Sequence, residues 1–150
     1  MMKYTDKMSK NLNDLLTKNY DAEKGYKKAA DIVTNSKLKQ FFTDQAQRRY
    51  DFGHELKTEI RNYGEVPEKG TSVTGDMHRT WMDIKSTFTS NDEEAILKEV
   101  KKGEKNALDE YTEIVNDVTL PPTTKAILNQ QRISVEKALE NARNFEAIVS

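Results

Sequence analysis

Apolar side chains recur along this chain at alternating spacings of four and three, in four separate blocks. That spacing keeps them on one face of an α-helix. In the first block, from about Thr5 to Thr34, the face reads Leu12, Leu16, Asn19, Glu23, Tyr26, Ala30 and Val33. In the second it reads Leu38, Phe42, Gln45, Arg49, Phe52, Leu56, Ile60 and Tyr63, ending at Gly64, whose backbone freedom suits a helix stop. The third carries Leu97, Val100, Glu104, Ala107, Tyr111, Ile114 and Val118, and the fourth Ile127, Leu128, Gln131, Val135, Ala138, Ala142, Phe145 and Val149. The breaks carry helix-start chemistry: Asn35-Ser36 as a cap, Asn91-Asp-Glu-Glu with acids for the first turn, and Pro121-Pro122.

The lengths of the breaks decide the topology. Thr34 to Lys37 and Thr119 to Pro122 are tight links, which force antiparallel neighbours. Gly64 to Asn91 is long and opens with loop chemistry, Glu65-Val-Pro-Glu-Lys-Gly-Thr-Ser. Met77, Trp81, Ile84 and Phe88 then stand at helical spacing, which predicts a short extra helix from about Gly75 to Thr89. Helices of ~28 residues are about 42 Å long. A crossover with ~22 Å of helix and a dozen extended residues spans that distance, so the second and third long helices are expected to run parallel. The expectation is one all-α domain over residues 1–150. Its architecture is a ferritin-like four-helix bundle of two antiparallel helical hairpins, joined by a long crossover that contains a short fifth helix.

Composition narrows the function. Charged residues make up 33% of the 150-residue chain, and Gly and Pro are scarce, as long helices with solvated outer faces require. A mean hydropathy of -0.86 and the absence of any long apolar run predict no membrane association. A net charge of -1, with lysines alternating with acids, excludes a basic stripe for nucleic acid. With no cysteine, disulfides, thiol nucleophiles and thiolate metal sites are excluded. Lys and Asp interrupt every apolar run from Met1 to Tyr20, so no signal peptide is read there and a cytoplasmic location is expected.

The candidate site lies where polar residues occupy the apolar faces. Asn19, Glu23, Gln45 and Arg49 do so in the first hairpin, and Glu104 and Gln131 in the second. Counting from the turns places Glu23 level with Gln47 to Arg49, and Glu104 level with Val135 to Glu136. Inward carboxylates at mid-height on two helices are half of a di-iron site, whose other half is a Glu-x-x-His pair on each remaining helix. Arg49 with Phe52 and Val135 with Ala138 stand where those pairs belong. The expectation is therefore a Glu23-Arg49-Glu104 ionic core in place of a metal, supported by Asn19, Gln45, Tyr26 and Tyr111. His54 and His78 read as boundary residues without metal partners, and the Trp81 stripe as a docking face for the crossover helix.

Met77-His-Arg-Thr-Trp-Met-Asp-Ile-Lys-Ser and Gly103-Glu-Lys-Asn-Ala-Leu-Asp-Glu-Tyr resemble a bacterial family of uncharacterised four-helix-bundle proteins in the ferritin-like superfamily. Leu12-Asn-Asp-Leu-Leu, Asp21-Ala-Glu-Lys-Gly-Tyr and Ala46-Gln-Arg-Arg-Tyr-Asp-Phe extend the resemblance over nearly the whole chain. It implies the fold and the long crossover. From the rubrerythrin-like and ferritin-like enzymes of the wider superfamily, only Glu23 and Glu104 carry over onto ligand positions. The function expected is a non-enzymatic structural, interaction or stress-associated role without cofactor, with a homodimer as the candidate assembly. The alternative is a degenerate metal binder or oxidase holding iron or another divalent ion through Glu23 and Glu104.

Overall fold

Long helices form where the four periodic blocks lie. A computed structural model of the protein describes residues 4–67, 92–117 and 120–149. These residues build α1 (Tyr4–Ile32), α2 (Ser36–Asn62), α3 (Glu93–Val115) and α4 (Pro122–Val149). The short crossover helix expected at Gly75 to Thr89, with His78 and Trp81, lies outside the described residues, as does Val118.

Helix ends follow from local chemistry. α1 stops at Ile32, two residues before Thr34, because Asn35 turns extended (φ -62°, ψ 121°) to cap the next helix. Its side-chain oxygen accepts from the Leu38 amide at 3.0 Å. At the other end of α2, Gly64 takes φ 78°, in the left-handed region. The Gly64 amide donates to the Arg61 carbonyl at 2.9 Å and the Glu65 amide to the Ile60 carbonyl at 3.2 Å. Two carbonyls that α2 leaves open are satisfied by that Schellman turn.

Pairing across the bundle gives the helix directions. Asn19 of α1 meets Tyr111 of α3, and Tyr26 meets Glu104, so residue numbers rise on one helix as they fall on the other. Glu55 meets Gln131 and Glu59 meets Thr124 in the same sense between α2 and α4. Both α2 and α3 therefore run antiparallel to α1 and parallel to each other, as the long crossover predicts. Among the described residues, no helix is long and apolar enough to cross a membrane.

The apolar core is divided in two. One cluster gathers Tyr26, Val33, Leu38, Phe42, Leu97 and Val100 near the α1–α2 turn. The other gathers Leu12, Leu16, Leu56, Ile60, Leu128 and Val135 towards the α3–α4 turn. Leu15, Ala22, Phe41, Ile96 and Leu139 are also buried although they lie off the expected faces, while Phe52, Tyr63, Ile127 and Phe145 are only half-buried. Each helix packs on two neighbours, so its buried face is wider than a single seam.

Candidate functional site: a polar layer at mid-bundle

Between the two apolar clusters lies a hydrogen-bonded layer to which all four helices contribute. Arg49 stands on the inner face of α2 and is 1% exposed, with Glu104 of α3 at 0%. The Arg49 guanidinium pairs through Nη2 with Glu104 Oε1. Its Nη1 donates to Asn19 Oδ1 of α1 at 3.0 Å. The second Glu104 oxygen accepts from the Tyr26 hydroxyl at 2.8 Å. Both carboxylate oxygens are thus engaged.

Asn19 carries the chain onward. Its amide nitrogen donates to the Tyr111 hydroxyl and to the Leu15 carbonyl, each at 2.8 Å. Tyr111 donates to Gln131 Oε1 of α4 at 2.6 Å. Gln131 in turn donates to Glu55 Oε1 at 3.1 Å and reaches the Phe52 carbonyl at 3.5 Å. The network runs from buried Tyr26 to exposed Glu55 at the bundle surface.

Burial sets the protonation of the layer. Loss of water pushes the Glu104 carboxyl above its ordinary value, while Arg49 and the Tyr26 hydrogen bond pull it back. Burial first, and the Glu104 charge second, raise Tyr26 well above the usual tyrosine range. Tyr111 is pushed up to about 12, chiefly by burial, with Arg49 opposing. Both phenols remain protonated at neutral pH and can donate as the geometry requires. An ion pair this deep recovers its desolvation cost only when its remaining polar atoms are bonded, and here Asn19 and Tyr26 supply those bonds.

The expected trio is only partly assembled. Arg49 and Glu104 meet, but Glu23 is half-buried and its Oε2 pairs with Lys27 Nζ at 2.8 Å. It lines a cleft of about 470 Å³ between α1 and α2 with Ala30, Ala46 and Tyr50. The cause is rotational: residues seven apart return almost to the same helix face, so Asn19 and Tyr26 point together into the layer. Glu23 stands between them in number and is turned aside by about 40 to 60°. Gln45 is buried on α2 one turn before Arg49, but no hydrogen bond joins it to the layer.

Two contributors stand outside the expected site. Gln131 was legible as a polar residue on an apolar face, whereas exposed Glu55 carried no signal in the sequence. A second cluster was also unmarked: Thr124 Oγ1 of α4 donates to Glu59 Oε1 of α2 at 2.7 Å and lies 2.7 Å from the Tyr63 hydroxyl.

The donors present do not fit a di-iron centre. One carboxylate, already bound on both oxygens, faces a guanidinium where such a centre needs several carboxylates and two imidazoles. Among the described residues, no three Asp, Glu or His side chains are grouped to hold an ion. His54 is exposed and packs edge-on against Tyr50, with ring centres 4.6 Å apart.

A family model described as "Domain of unknown function (DUF2383)" matches residues 7–117. The chain belongs to that family. No curated protein matches it. Among solved structures, it is similar to the bacterioferritin-related protein from Bacteroides fragilis, described as a dodecameric thioferritin in the bacterial domain. The TM-score is 0.77 over 97% of this chain and 87% of that one, at 16% sequence identity. This DUF2383 chain therefore has the all-α, ferritin-like four-helix bundle that its connection lengths predict, and Arg49 and Glu104 sit at its centre.

Proposed function

We propose that this DUF2383 protein is a non-enzymatic, cytoplasmic bundle with a structural, interaction or stress-associated role, in which the Arg49–Glu104 layer takes the place of a ferritin-type metal centre. The observation that carries this reading is the buried guanidinium on Glu104 at mid-bundle. A divalent ion there would meet a fixed positive charge and one committed carboxylate. Such a core ties four helices together without redox chemistry, which leaves function to the outer faces. Self-association belongs to the same reading, supported by the likeness to a protein described as dodecameric. A monomer by light scattering at high concentration would remove that part.

Elemental analysis tests the core. Protein purified without chelator is incubated anaerobically with ferrous iron, manganese or zinc and then desalted. The expected content is less than one ion per several chains. One or two ions per chain, lost in Glu104→Ala or Glu23→Ala, would overturn the proposal and make the metal-dependent oxidase reading the leading one.

A further inference from the structure

The end of α3 and the first turns of α4 enclose a cleft of about 360 Å³ lined by hydrogen-bond donors and one valine. Lys125, Asn129 and Arg132 follow at spacings of four and three, one face of α4. Thr112 and Asn116, four apart at the end of α3, line the cleft opposite them, together with the nearly buried Val115. None of these six side chains is acidic.

The donors are oriented. Arg132 Nε donates to Asn129 Oδ1 at 3.0 Å, which occupies the amide oxygen and leaves the amide nitrogen as a donor. Arg132 Nη1 reaches Glu136 only at 3.5 Å, and Nη2 has no partner among the described residues. Lys125 Nζ likewise has no ion-pair partner among them. The α3 C-terminus and α4 N-terminus carry opposite partial charges, so the side chains decide the sign of the field in the cleft.

We propose that this cleft binds an oxyanion of the phosphate class, a phosphate group either free or carried as a monoester. The tetrahedral oxygens of a phosphate can accept from Arg132 Nη2, Lys125, Asn129, Asn116 and Thr112. A carboxylate offers two oxygens to these donors, where a phosphate offers at least three. The cleft has room for more than a phosphate, and Val115 gives an ester substituent an apolar surface.

The test is an amide-shift titration of the full chain with inorganic phosphate and with glycerol phosphate, at constant ionic strength. Saturable binding of one anion per chain is expected, with shifts centred on Asn116, Lys125, Asn129 and Arg132. Arg132→Gln and Lys125→Gln should each weaken binding about tenfold, the loss of one charge-assisted contact. Lys105→Gln, which removes an exposed charge elsewhere on α3, should leave it unchanged. Tighter binding of glycerol phosphate assigns the site to a monoester, and equal binding to the phosphate group itself. Absence of saturation, or equal weakening by Lys105→Gln, would overturn the proposal.

Discussion

Tyr26 and Tyr111 flank the Arg49–Glu104 pair from α1 and α3, and both phenols resist ionisation because water is excluded. For Tyr111 the folded value is raised from 10.0 to about 12. The unfolded chain therefore ionises first. Tyr111 adds stability that is fully present below pH 10 and lost as the pH rises through about 12, an effect on the order of 2 to 3 kcal/mol. Urea unfolding across that range should show a steeper alkaline loss for the wild type than for Tyr111→Phe. The slope is the readout, since the variant also strands Asn19 and Gln131 and starts from lower stability. Parallel slopes would mean that Tyr111 ionises like a solvated phenol. At this scale the sequence was informative about which polar residues stand on apolar faces, as with Asn19, Arg49, Glu104 and Gln131. It could not resolve a rotation of about 40 to 60° around the helix axis, so Glu23 was placed inside when it faces the α1–α2 cleft.

Individual helices show a different balance. Their ends were legible, because Asn35 brings a side-chain oxygen that caps the next helix and Gly64 takes a positive φ that few other residues adopt well. What locks the end of α2 to the start of α4 was not, since Glu59 sits beside the expected face and Thr124 precedes the first apolar residue of its helix. Thr124 has one proton, given to Glu59, so the Tyr63 hydroxyl must donate to Thr124. Thr124→Val preserves volume and removes this donor, leaving a buried Glu59 carboxylate oxygen short of a partner. The expected loss is about 1 to 3 kcal/mol in urea unfolding, with Thr124→Ser retaining most of the wild-type value. A valine variant as stable as the wild type would show that water replaces the threonine at no cost.

For the molecule as a whole, the polar layer matters because of what it joins. Helices touch more extensively within each hairpin than between hairpins. The bonds from Arg49 and Tyr26 to Glu104, from Asn19 to Tyr111, and from Gln131 to Glu55 all cross from one hairpin to the other. Lys18, nearly buried on α1, adds a bridge to Glu110 of α3 at 3.2 Å. Topology was readable from connection lengths alone, but the strength of the hairpin interface was not, because periodicity does not say which polar residues meet. Arg49→Ala should destabilise by roughly 3 to 5 kcal/mol, since it removes the cation that compensates buried Glu104 and leaves that carboxyl dehydrated opposite an empty space. The deficit should fall on the interface between hairpins more than on either hairpin. Amides of α1 and α3 near the layer should then lose hydrogen-exchange protection before those near the two turns, and the urea dependence should become shallower. Leu128→Ala, a truncation within one apolar cluster, provides the contrast: a loss of about 2 to 5 kcal/mol with the urea dependence unchanged. Replacing both partners, Arg49→Met with Glu104→Leu, removes the charges together and should recover most of the stability lost in the single variant. If Arg49→Ala instead unfolded like the wild type, the ion pair would carry no share of hairpin docking, and the two apolar clusters alone would hold the bundle closed.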